Sequence, residues 1–82
     1  FRWTGTKIAA IELGYAIYAA EVLNNGNADI KEIMTYIETS FKIDLGDYYR
    51  TYLTIRERKR DRTAFLNSLI EKLLRKMDEN DN

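Results

Sequence analysis

The 82 residues carry 45% hydrophobic and 12% aromatic side chains, and thirteen basic residues balance thirteen acidic ones to a net charge of zero. A chain of this size folds as one domain and buries only roughly 60% of its unfolded surface, so its core must be efficient. It has no cysteine and no histidine, which excludes disulfides, thiolate metal sites, most hydrolase triads and nearly all zinc sites.

The first predicted helix covers about residues 7–23. Ile8, Ile11, Tyr15, Tyr18 and Val22 step by three and four, and Ala9, Leu13, Ala16, Ile17 and Ala20 fill most of the remaining circumference. A helix apolar nearly all round is expected at the centre of its fold. Thr4 or Thr6 caps its start and Asn24-Asn25-Gly26 ends it. Glu12 sits on an otherwise apolar side between Ile8, Ala16 and Ala19, where a buried carboxylate needs donors and an exposed one does not.

The second helix spans about 28–41, with Asn27 as cap and Ile30, Ile33, Met34, Ile37 and Phe41 as one narrow stripe. The third spans about 45–56, capped by Asp44 after a short link. Ile43 and Tyr48 are spaced for a hydrophobic staple across that start. Leu45, Tyr48, Tyr49, Tyr52 and Ile55 form its expected buried side. Asp47, Arg50, Thr51, Thr54 and Arg58 share the opposite side. Residues 56–62 hold no apolar side chain. Thr63 is spaced to cap a fourth helix, about 64–78, whose Phe65, Leu66, Leu69, Ile70, Leu73, Leu74 and Met77 make a broad apolar face. An acidic tail closes the chain. The expected fold is all-α: a compact four-helix domain, 1–82, containing a helix-turn-helix. A short hairpin across 54–64 would make it winged-helix-like.

The neutral total hides a local excess. Residues 1–49 carry four basic and seven acidic side chains, residues 50–62 six basic and two acidic, and residues 63–82 three basic and four acidic. Six cations in one short stretch suggest a site rather than a generally adhesive surface. In a helix-turn-helix the second helix of the pair enters the major groove and its early exposed residues meet base edges. Those residues here are Asp47, Arg50, Thr51 and Thr54. Arg pairs with guanine through two hydrogen bonds, and Thr offers a hydroxyl and a methyl. Arg56, Arg58, Lys59, Arg60 and Arg62 would then hold phosphates.

Other readings of the same residues are weaker. The tyrosines at 15, 18, 48, 49 and 52 have the spacing of core packing rather than of a base-stacking platform. Residues 21–32 lack the ligand pattern of a calcium loop, with Leu23 where an oxygen donor is needed. One isolated carboxylate at Glu12, with no second acid or base, is not an active site. The chain therefore reads as no enzyme, with no cofactor, no metal and no small-molecule substrate. No apolar run approaches the ~18 residues of a membrane span. With no cysteine and many charges, the expected location is the cytoplasm.

Trp3-Thr4-Gly5, Ile11-Glu12-Leu13, Tyr15-Ala16 and Asn24-Asn25-Gly26-Asn27-Ala28-Asp29-Ile30 resemble the carboxy-terminal domain of the RteC family. So do Ile43-Asp44-Leu45-Gly46-Asp47, Tyr49-Arg50-Thr51, Ile55-Arg56, Arg58-Lys59, Arg62-Thr63-Ala64-Phe65-Leu66 and Leu73-Leu74-Arg75-Lys76-Met77-Asp78. Asn67 stands where the family pattern leads one to expect Asp, and Ile17 where it leads one to expect Leu; neither touches the candidate site. The resemblance implies a regulator of conjugative transposons that mobilise tetracycline resistance. It implies a helix-turn-helix or winged-helix domain that recognises an inverted repeat in double-stranded DNA upstream of an excision operon. A homodimer on that repeat and a further amino-terminal domain, not contained in this chain, are the accompanying expectations. A helical protein–protein docking or dimerisation module, working through the fourth helix, is the alternative from a different class.

Overall fold

The computed structural model describes residues 1–79 as four helices: α1 (Lys7–Ala20), α2 (Ile30–Phe41), α3 (Tyr48–Arg56) and α4 (Ala64–Glu79). No strand occurs among the described residues, and the hairpin across 54–64 does not form: residues 54–56 finish α3 and 57–63 make an irregular link. The acidic tail beyond Glu79 lies outside the described residues.

α1 is the centre, as its all-round apolar character suggested, and α2, α3 and α4 each pack against it. Thr6 caps it by accepting the Ala9 amide at 3.1 Å. The helix ends at Ala20 rather than Leu23, because Glu21 turns into the left-handed region at φ 56°. Val22 and Leu23 remain exposed, so no burial offsets the cost of continuing the helix. A single 3₁₀ turn, Asn24–Gly26, then redirects the chain.

α2 starts two residues later than its apolar pattern suggests, because Asp29 and not Asn27 is the cap. Asp29 Oδ1 accepts the Glu32 amide at 2.8 Å and Glu32 Oε1 accepts the Asp29 amide at 2.9 Å, a reciprocal capping box. Ile33, Met34 and Ile37 are its buried stripe. They close on α1 at Gly14, where an added Cβ would lie 2.7 Å from the Met34 sulfur. The close approach of the two helices thus depends on Gly14 having no side chain. Ala10, Ile11, Leu45 and Ile55 complete the core.

The start of α3 departs most from the expectation. Asp44 does not cap the helix; its Oδ1 accepts the Gly46 amide at 2.8 Å and makes a tight turn. Gly46 takes φ +59°, a conformation that side chains disfavour and that no right-handed helix contains. Leu45, freed from the helix, inserts into the core at 1% exposure. Its amide donates to Glu38 Oε2 at 2.8 Å, which ties the link back to α2. The helix begins at Tyr48 with Asp47 as cap. The link therefore spans residues 42–47 instead of a tight turn, and the Ile43–Tyr48 staple loses its register.

Candidate nucleic-acid interface

α3 is held from one side. Tyr48, Tyr52 and Ile55 recur at helical spacing and face α1, where the rings of Tyr15 and Tyr52 stack at 3.9 Å and 11°. Tyr48 adds a tilted contact to Tyr15 at 6.5 Å. Burial raises the Tyr15 phenol above its ordinary pKa, and the neighbouring Tyr48, Tyr52, Tyr49 and Tyr18 add to the rise. Tyr49, one residue off this register, is 58% exposed and does not belong to the buried side.

The opposite side presents the residues singled out by sequence. With the helix starting at Tyr48, Arg50 occupies the third helical position, and its side chain is 85% exposed. Asp47 serves the helix itself. Its Oδ1 accepts the Arg50 amide at 3.2 Å, and its Oδ2 stands 3.7 Å from Arg50 Nε. Both threonines bond backward along the helix: Thr51 Oγ1 donates to the Asp47 carbonyl at 3.3 Å and Thr54 Oγ1 to the Arg50 carbonyl at 3.2 Å. Their methyls and remaining lone pairs are what they can offer a ligand.

The link after α3 divides the basic cluster. Arg58 Nη1 donates to the Asp61 carbonyl and Arg62 Nη1 to the Arg56 carbonyl, each at 3.4 Å. These bonds fold the link on itself, with Asp61 in the left-handed region at φ 55°. Arg56, Lys59 and Arg60 are exposed. Arg56 closes α3 and the other four follow it in the link, so the structure brings Arg50 and the phosphate candidates onto consecutive segments of chain.

The family model of RteC protein matches residues 1–81. The chain belongs to the RteC family. None of the curated proteins and none of the solved structures compared with it matches. Membership supports a regulatory role connected with conjugative transposons. Among the described residues, no helix of this RteC-family chain is long and apolar enough to cross a membrane.

Two features beside the interface carry structural weight. Glu12, 6% exposed, accepts the amides of Phe65 at 3.3 Å and Leu66 at 2.8 Å. These are the second and third positions of α4, the amides that a side chain at a helix start normally satisfies. Thr63, spaced for that task, instead donates to Asn67 Oδ1 at 3.4 Å. The donors that a buried Glu12 needs are thus the amides of a helix amino terminus. Trp3 is the other anchor. Its amide donates to the Phe41 carbonyl and its indole to the Thr6 carbonyl, each at 2.8 Å, and its ring meets Phe41 and Phe65. Sequence reasoning gave Trp3 no place in the core. The signal was a lone tryptophan close before a helix cap.

Proposed function

We propose that this chain binds double-stranded DNA through the exposed side of α3 and the basic link behind it, as part of the control of conjugative-transposon excision or transfer genes. The observation that carries the reading is Arg50. It stands exposed in the first turn of a short helix whose other side is fixed on α1, and a run of cations follows that helix. Early positions of a docked helix are those that meet base edges in the major groove. In this reading Arg50, Thr51 and Thr54 face the bases, while Asp47 holds the helix start and orients Arg50. Arg56, Arg58, Lys59, Arg60 and Arg62 meet the backbone. The reading includes no catalytic step and no cofactor.

Fluorescence anisotropy on labelled duplexes, repeated over a salt series, tests it. Four to six cations reaching phosphates give a slope of log affinity against log salt of roughly −4 to −5, at about −0.9 per phosphate. A slope near zero on every duplex refutes the reading and favours a protein-docking module. The exposed apolar face of α4 is the specific observation behind that second reading.

A further inference from the structure

Residues 57–63, the link between α3 and α4, hold no apolar side chain, so burial does little to fix their course. Their ends do. Ahead of the link, Ile55 is buried and Tyr52 stacks on Tyr15 of α1. Behind it, Glu12, also on α1, accepts the Phe65 and Leu66 amides at the start of α4. Every residue of α4 from Leu69 to Glu79 is exposed, so only the first turns of that helix secure the far end. Between the two anchors the link closes on itself. Arg62 Nη1 reaches back to the Arg56 carbonyl, and the Ala64 amide donates to the Asp61 carbonyl at 3.2 Å. Glu12 borders one hollow with Arg62 and Thr63 and a second with Arg58 and Ala64.

We infer that Glu12 is a positioning residue for the phosphate contacts: by clamping the start of α4 to α1, it closes the basic link into a loop that holds Lys59 and Arg60 ready for a nucleic-acid backbone. What the loop meets rests on the DNA-binding reading above; how the loop is held rests on the Glu12 bonds alone. Glu12 is 6% exposed and does not itself meet a ligand. Lys59 and Arg60 are exposed and long, so their order depends on the backbone that carries them. A loop pinned at both ends has little freedom left to lose on binding, whereas one released at its far end must be ordered by the ligand. Electrostatics alone act in the opposite direction. Glu12 is an anion beside a surface that attracts phosphates, and removing its charge favours binding of a polyanion. The positioning role and the bare charge therefore predict opposite signs for the same substitution.

Glu12→Gln keeps the size of the side chain, removes the charge and leaves one acceptor. Anisotropy titrations compare it with the parent chain on a selected and a scrambled duplex, at one salt concentration and well below the unfolding temperature of both proteins. Affinity for both duplexes should fall by about three- to tenfold, the cost of ordering one or two released cations. The ratio between the duplexes should stay, because Arg50 sits on α3, which Glu12 does not hold. Ile33→Val in α2 lowers stability through the core alone and should leave both affinities unchanged. Amide exchange supplies a readout without DNA: Ala64 should accelerate in Glu12→Gln by a larger factor than Met34 of α2. Affinity unchanged or raised in Glu12→Gln overturns the inference. So does an equal fall in Ile33→Val, since lost stability would then suffice, or an Ala64 acceleration no greater than that of Met34. If the parent chain binds neither duplex, the DNA-binding reading falls, and exchange at Ala64 alone decides whether Glu12 holds the loop.

Discussion

Replacing Glu12 with alanine removes both hydrogen bonds that hold the start of α4. A hydrogen bond to a charged acceptor contributes about 1.5–3 kcal/mol. The Leu66 bond at 2.8 Å deserves the middle of that range and the Phe65 bond at 3.3 Å the bottom or less. A carboxylate at a helix amino terminus adds about 0.3–1 kcal/mol, more when partly buried. Against this, alanine also relieves the carboxylate of its own desolvation, and the freed amides, only partly buried, regain some water. The net expectation is a loss of about 2–3 kcal/mol, a large share of the roughly 4–12 kcal/mol typical for a chain of this length. At about 1 kcal/mol/M for a small domain in urea, the midpoint falls by about 2–3 M with an unchanged slope. Glu12→Gln keeps one acceptor and loses the charge, and should cost about half as much. Amide exchange at Phe65 and Leu66 should accelerate before that of α2. A midpoint unmoved by Glu12→Ala would refute this reasoning and leave Trp3 and Leu66 as the whole attachment of α4.

Arg50→Ala should cost about 1–3 kcal/mol on a sequence-selected duplex and much less on a scrambled one, because its contact is to a base edge. Arg60→Ala should weaken both duplexes equally and shallow the salt slope by about one unit. Competition titrations decide it, and equal losses from Arg50→Ala on both duplexes would remove α3 as the reading element. Tyr15 predicts alkaline sensitivity. Its pKa is raised in the fold, so below the unfolded value near 10 both states hold the proton and stability is unaffected. As the pH climbs through 10 toward the folded value, the unfolded chain ionises first and stability falls. Urea titrations from pH 8 to 11.5 should show that loss, and Tyr15→Phe should reduce it.

Much of this arrangement is readable from the order of residues. The stripe of α2 and the uniform apolarity of α1 each identify their helix and its depth, because the pattern itself expresses burial. The start of α3 was not readable in the same way. Asp44 and Asp47 are both competent caps, and the choice between them depends on Leu45 finding space in the core. Gly46 was the available sign, since a positive φ there forbids the longer helix. α4 shows another limit. Its apolar face marks a surface to be covered, yet periodicity cannot say whether the cover comes from the same molecule. For the interface, the exposure of Arg50 and Thr54 follows from wheel arithmetic alone. The engagement of Asp47 as cap follows only once the helix start is known. Glu12 was legible as a residue in need of donors. Its partner, far along the chain, was not.

The bond from Glu12 to Phe65 spans 53 positions of sequence. During synthesis at about 5–20 residues per second, the carboxylate leaves the ribosome roughly 3–10 s before the amides it will accept. By the end of that interval α1, α2 and α3 have all been synthesised, and the core cluster of Met34, Leu45 and Ile55 contains no α4 residue. The nascent domain then holds the Glu12 carboxylate without the two amides it accepts in the finished fold. Arrival of α4 supplies those amides, which makes its docking the expected closing step of assembly. By the same logic it is the first step of disassembly, so a strained or heated molecule should release its fourth helix while the other three still hold together.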